Sequence, residues 1–541
     1  MAELNKESVL KNKDLFEQLG IKVPHFDLDS IILLTKENPI WVHFGAGNIF
    51  RGFIAVLQQR LIEKGESDKG IVAVETYDFE IIDRIYKPYD NLSILVTLNP
   101  DGSFSKEIVA SITEALVGDV SREGDWIRLN EIFTKPSLQM ASFTITEKGY
   151  NIYTLSGDVI AEVKKDIEAG PYKPINVMSK VASLAYNRFK NGMHPITFVS
   201  MDNCAENGRK LYDAVIYVSA AWAEKGLVEK EFINYLNDPA KVSFPWTMID
   251  KITPRPSEEV KSKLVESGFS SMDIIKTSKN TFIAPFVNTE APQYLVIEDN
   301  FTNGRPPLEK VGVIFTDRET VDKVEKMKVG TCLNPLHTAL AIFGCLLGYN
   351  TIAREMEDKY LKKLVEKIGL EEGMPVVVNP GVIDPVAFAK EVINVRLPNP
   401  YIPDTPQRIA TDTSQKLKVR FGHTIKSYIE RPDLDPNELK YIPLVIAGWC
   451  RYLLGIDDYG NEISLSPDPM LETLRLYLKD IKLGDVSSVG DKLNPILSNS
   501  ELFGLNLYDA GLGEKIESYF KEMIAGKNAV RETLKKYLED S

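Results

Sequence analysis

Residues 40–62, I-W-V-H-F-G-A-G-N-I-F-R-G-F-I-A-V-L-Q-Q-R-L-I, decide how the first half of the chain folds. Ile40–Phe44 is bulky and apolar enough for a short buried strand, and it runs straight into Gly45-Ala46-Gly47. Beyond the glycines, Ile49, Phe53, Ile54, Leu57, Leu61 and Ile62 recur at helical spacing. A strand, a glycine turn and a helix in succession let the backbone approach a pyrophosphate, which then rests on the helix N-terminus. Gly45 and Gly47 are thus candidates to hold a dinucleotide. Phe50 stands where the third glycine of that fingerprint belongs, and a βα turn with no ligand reads the same way.

Outward from this turn the pattern continues as α/β. Gly70–Glu75 reads as the next strand, with Glu75 and Asp78 as candidates for a ribose diol, although they lie later than the usual spacing. Strands follow at Ser93–Leu98 and Gln139–Thr146, the second ending in Glu147. Ligands bind beyond the carboxyl ends of parallel strands, so Thr144, Thr146 and Glu147 join the cofactor candidates. Ile196–Ser200 is a further strand, opening into the polar stretch Met201–Gly208. Phe244–Pro254, with two prolines and no periodicity, reads as an ordered loop, and Gln293–Asn300 as the strand that closes the domain. From residue 303 nearly every patterned segment is helical, including 338–349, 405–430 and 439–455. The expectation is an α/β dinucleotide-binding domain over 1–302 and an all-α domain over 303–541, with the active site at their junction.

The helical half is organised around Glu325–Tyr349, whose second half is apolar on every side, as in a helix buried within a domain. Asn334 reads as its N-cap and Pro335 as its first helical residue. Lys328, Asn334 and His337 then gather at the mouth of a dry helix, where unpaired polar groups cost about 1–3 kcal/mol each. A substrate could supply their partners. Capping by Asn334, a carbonyl for His337 and water for Lys328 would equally account for them.

Bulk properties narrow the function. At 541 residues the chain exceeds what one core usually serves. A net charge of −13 disfavours nucleic acid and anionic membranes, and no apolar run of about 18 residues is evident, so a cytoplasmic location is expected. The four cysteines lack Cys-x-x-Cys spacing and the five histidines are scattered, so the expected chemistry needs no metal.

Several longer motifs add to this reading: T-I-T-E-K-G-Y at 144–150, M-D-N-C-A-E-N-G at 201–208, F-P-W-T-M-I-D-K-I-T-P at 244–254, V-I-E-D-N-F at 296–301, G-R-P-P-L-E-K-V-G-V at 304–313 and R-I-A-T-D-T-S-Q-K at 408–416. Together they resemble the long-chain mannitol dehydrogenase family, whose members use NAD(H) or NADP(H) without metal. The glycine turn with Asn48 and Arg51 looks like the family's nucleotide turn. The resemblance implies a Rossmann-like first domain and hydride transfer between a nicotinamide and a sugar carbon, with Lys328 moving the hydroxyl proton. It further implies that Glu325 relays that proton, that Asn203 and Asn334 donate to the developing alkoxide, and that His337 binds a neighbouring hydroxyl. Asp250, Arg408 and Lys416 would contact substrate, though each could instead form a salt bridge. The family's K-x4-N-x2-H spacing is one residue longer here, from Lys328 to Asn334, and Gly330 could absorb the addition.

Members divide between neutral polyols and aldonate/keto-uronate pairs. Lys251, Arg408, Lys416 and Arg420 offer cations for a carboxylate, so D-mannonate and D-fructuronate are the expected pair. Mannitol and fructose, or the altronate pair, are the alternatives, as is a non-catalytic sugar- and NAD-binding regulator. NAD is the expected cofactor because Glu75 and Asp78 would repel a 2′-phosphate. A small-molecule sugar acid or polyol is the expected partner, and the chain is expected to be a monomer or homodimer.

Overall fold

The structure, a computed structural model, describes residues 2–154 and 156–539. It divides into two compact units, one running up to Asp322 and the other beginning at Lys323.

In the first unit, β1 (Trp41–Phe44), β2 (Ile71–Glu75), β3 (Ile112–Val117), β4 (Met140–Phe143), β5 (Ile196–Ser200) and β6 (Val242–Ser243) are short. Among the described residues they make one parallel sheet in the order β3-β2-β1-β4-β5-β6. Alternate residues of each strand enter different cores: Val42, Phe44, Ala141 and Phe143 pack on one face, Trp41 and Met140 on the other. Burial on both faces explains why the strands read from sequence here, β1, β2, β4 and β5, are mostly apolar rather than alternating. The strand order reverses between β1 and β4, whose last residues, Phe44 and Phe143, are in register. The glycine turn therefore leaves β1 at the point where open parallel sheets bind ligands.

Two expectations need correction. Ser93–Leu98 is a strand, but it pairs antiparallel with Phe104–Val109 in a separate sheet. The presumed loop 244–254 contains a strand, β7 (Thr247–Asp250), antiparallel to β8 (Tyr294–Glu298). Its prolines flank the strand and so remove no ladder hydrogen bond. A further strand, β9 (Ile314–Thr316), pairs parallel with β8. That pairing holds residues beyond 303 in the first compact unit, which runs to Asp322.

The second unit is helical. The helix Arg318–Met327, whose first residues belong to the first unit, leads into a π turn, Lys328–Cys332, and then α1 (Asn334–Leu347), which is buried along nearly its whole length. An 18-residue window within Arg318–Leu347 is apolar enough to cross a membrane, contrary to the sequence expectation, and 72% of it is buried inside the molecule. Packed around α1 are α2 (Ile352–Met356), α3 (Pro406–Ile409) and α4 (Tyr441–Tyr452). Segment 405–430, expected as one helix, breaks after α3 at Asp412, which adopts φ 53°. It resumes through a π turn, Lys418–Gly422, into a helix, His423–Glu430.

Candidate active site

Each unit brings one set of the expected residues together. In the first, Gly45 takes φ +104°, and a side chain there would collide with the Thr144 carbonyl. At Gly47 nothing lies within 4 Å of where a Cβ would stand, so the space above the turn is open. The helix that follows begins as a π turn, Phe50–Ile54. Thr144 Oγ1 faces His43 Nε2 at 2.8 Å, and His43 Nδ1 faces Ser142 Oγ at 2.6 Å, which fixes the floor of the turn. Burial pulls the His43 imidazole down to about 3, so it is neutral.

Other cofactor candidates are spent on the protein itself. Arg51 is 1% exposed, and its guanidinium donates to the Ala284 carbonyl and to Asn48 Oδ1, so Arg51 and Asn48 form a strut beneath the turn. Glu75 Oε2 accepts from Ala46 N at 2.9 Å, while Oε1 accepts from the amides of Thr76, Tyr77 and Asp78. Burial raises its pKa, and those four amides act against the rise. Asp78 accepts from the hydroxyls of Thr277 and Thr281. Glu147 is exposed and pairs with Lys210 at 2.7 Å.

Asp202 and Asn207 hold this end of the sheet, and neither was singled out from sequence. The Asp202 carboxylate accepts from Ile145 N, Thr146 N and Tyr150 Oη, tying the segment after β4 to the one after β5. That restraint keeps Thr146 at φ 64°, a costly conformation for a β-branched residue. Asn207 donates to the carbonyls of Asp202 and Thr247 and accepts from Thr247 N, which links the turn carrying Asn203 to β7. Asn203 is exposed on that turn, and Asp250 is buried at the end of β7. The sequence signal was there in D-N-x-x-x-N-G, but the turn's partners lie some 40 or more residues away.

In the second unit Lys328, 2% exposed, opens the π turn, and Leu333 N bonds to its carbonyl at 3.0 Å. A π turn accommodates one residue more than an α turn. Such a turn lies between Lys328 and Asn334, with Gly330 inside it. Glu325 sits half-buried one turn earlier. Asn334 is not the cap: Leu333 occupies that position, and Asn334 and Pro335 are the first two helical residues. The Asn334 amide makes no hydrogen bond among the described residues. His337 Nε2 lies 3.4 Å from Asp404 Oδ2 but at an angle that makes no hydrogen bond. Burial pulls His337 down to about 4, Asp404 opposing and Arg408, Arg420 and Arg396 assisting.

The expected cations differ. Arg408 is 62% exposed and ion-paired with Asp404. Lys416 Nζ donates to the Thr411 carbonyl, and burial, then Arg420, lowers its pKa. Lys251, in the first unit, donates to the Glu290 carbonyl at 2.6 Å.

Comparison with known proteins gives this geometry a family context. The sequence model of the mannitol dehydrogenase Rossmann domain matches residues 39–310, and that of the mannitol dehydrogenase C-terminal domain matches 320–524. A D-mannonate oxidoreductase of Thermotoga maritima is 61% identical over 533 residues, 98% of each chain. A D-mannonate oxidoreductase of Escherichia coli is 28% identical over 86% of this chain and 89% of its own. Among solved structures, Pseudomonas fluorescens mannitol 2-dehydrogenase in ternary complex with NAD and D-mannitol aligns over all of both chains with a TM-score of 0.69 at 26% identity.

Proposed function

From the premise that this chain belongs to the mannitol dehydrogenase family, we propose that it is a soluble oxidoreductase interconverting D-fructuronate and D-mannonate with NAD(H). The observation that carries the choice of substrate is the 61% identity, over 98% of both chains, to a protein named D-mannonate oxidoreductase.

The first unit fits a dinucleotide, because the open space above Gly47 lies at the switch point of the sheet and at the start of a helix. Gly45, Gly47 and Thr144 would line the pyrophosphate, and Glu75 would disfavour a 2′-phosphate through like charge. When bound, the nicotinamide gives or takes the hydride.

The second unit supplies the proton. In the reductive direction the Lys328 ammonium protonates the carbonyl oxygen as the carbonyl carbon gains hydride, leaving a neutral amine that regains its proton from solvent through Glu325. Oxidation is the reverse, with the amine taking the hydroxyl proton. Asn334, its amide unspent, and Asn203 donate to the oxygen as charge develops on it. His337, held neutral, can accept from or donate to a sugar hydroxyl, and Asp250 accepts from another. The π turn supports this reading of the longer spacing, since it has room for one more residue while Lys328 stays buried.

The test is NADH oxidation by the purified protein with D-fructuronate, with NADPH in parallel. Turnover with NADH exceeding that with NADPH is expected. No turnover with fructuronate, or faster turnover with NADPH, would remove the corresponding half of the proposal.

A further inference from the structure

The second unit contains a partly buried guanidinium with no carboxylate paired to it among the described residues. Arg420 lies on the π turn Lys418–Gly422, which packs against the π turn carrying Lys328 and against α1. Its Nη1 donates to Thr338 Oγ1, and Thr338 in turn donates to the Asn334 carbonyl at 2.9 Å. The guanidinium is thereby tethered to the turn of α1 that presents Asn334 and His337. Among the described residues no carboxylate pairs with Arg420, whereas Arg408 has Asp404, Arg354 has Glu357 and Arg531 has Asp358. Burial alone pulls Arg420 down to about 10, with no acid acting in the other direction. Lys416, whose carbonyl accepts from Arg420 N at 3.0 Å, places a second positive charge nearby.

The position is held firmly. Gly422 ends the same turn, and a side chain there would collide with the Phe503 carbonyl, so the turn is pressed against backbone. A guanidinium has five N–H donors, and Arg420 spends one on a neutral hydroxyl. The remainder present a fork matched to a carboxylate.

We propose that Arg420, rather than Arg408, anchors the terminal carboxylate of the sugar acid, with Lys416 adding charge. This rests on the sugar-acid reading above and assigns the residue that selects the acid over its neutral counterpart. Arg408, exposed and paired, orients Asp404 beside His337 instead.

The experiment measures kcat and KM for D-fructuronate and for D-fructose, with NADH affinity followed by fluorescence. Arg420→Ala is expected to lower kcat/KM for fructuronate by about 10²-fold or more, chiefly through KM, and to shrink the fructuronate-to-fructose preference. Added guanidinium ion should restore about tenfold of the loss, which a purely structural defect would not allow. Arg420→Lys, which keeps the charge but not the fork, should lose about tenfold. A folded Arg420→Ala with fructuronate KM within about threefold of wild type overturns the assignment. If that variant no longer binds NADH, Arg420→Lys decides, and an unchanged KM overturns it. Wild-type protein that fails to reduce fructuronate removes the sugar-acid reading and this assignment together. Wild type and variants that reduce it equally well remove only the role of Arg420.

Discussion

The carboxyl end of the parallel sheet and the mouth of the buried helix α1 treat their polar groups in opposite ways. At the sheet, Glu75 is saturated by four backbone amides, Asp78 by two threonine hydroxyls and Asp202 by two amides and a phenol. At α1, the Asn334 amide, His337 Nε2 and most of the Arg420 guanidinium make no hydrogen bond among the described residues. Two histidines repeat the contrast: both ring nitrogens of His43 meet hydroxyls, whereas His337 Nε2 makes no hydrogen bond among the described residues. A surface whose side chains are already satisfied recognises a ligand by backbone and shape, which suits a dinucleotide. Unsatisfied buried groups cost about 1–3 kcal/mol each and favour a ligand that completes them, which suits a sugar with many hydroxyls.

The largest expected effect falls on the second surface. Lys328→Ala should slow hydride transfer by about 10²–10⁴-fold in single-turnover stopped flow. NADH affinity should change little, since the dinucleotide candidates all belong to the other unit. A matching loss of NADH affinity would dissolve the division of labour.

On the first surface the two glycines should separate shape from stability. Gly45→Ala forces a positive φ and a backbone collision and should cost more than about 2 kcal/mol in urea unfolding. Gly47→Ala should leave stability within about 1 kcal/mol while weakening NADH binding about tenfold, because its methyl enters the open space above the turn. Equal effects at both positions would mean that the turn is merely structural.

Acid should expose the histidine contrast more gently. An unfolded histidine protonates near 6.5, and folded His337 only at about 4. The folded chain therefore binds fewer protons between those values, so stability is complete above pH 6.5 and falls as pH drops toward 4. The contribution is about 3 kcal/mol. His337→Gln should flatten that part of the acid slope and change stability little at pH 8. His43→Gln breaks two contacts and should cost about 1–3 kcal/mol at pH 8 as well.

Much of the fold could be read from sequence because its signals are local. β1, β2 and β5 are continuous apolar runs, and the glycines stand where the chain must turn. β7 escaped notice because its partner, β8, is more than forty residues away and prolines flank it. The pairing of β9 with β8, which brings residues beyond 303 into the first unit, escaped notice for the same reason. The longer Lys328–Asn334 spacing was visible, but a π turn is defined by which carbonyl accepts from which amide, and side-chain periodicity carries no trace of it. Arg420 was one of four cations offered to a carboxylate, behind Arg408 and Lys416 as expected substrate contacts, until its lack of a counter-ion among the described residues, against the pairing of Arg408, set it apart.

The most direct measurement is the ratio of kcat/KM for D-fructuronate to that for D-fructose, both with NADH and wild-type protein. An unpaired cation at the mouth of α1 loses its anion when the substrate is neutral, at a cost of several kcal/mol. The ratio is therefore predicted to be at least about 10², at roughly 1.4 kcal/mol per tenfold. A ratio near one would mean that the cations around α1 serve the fold alone and that the protein acts on neutral polyols.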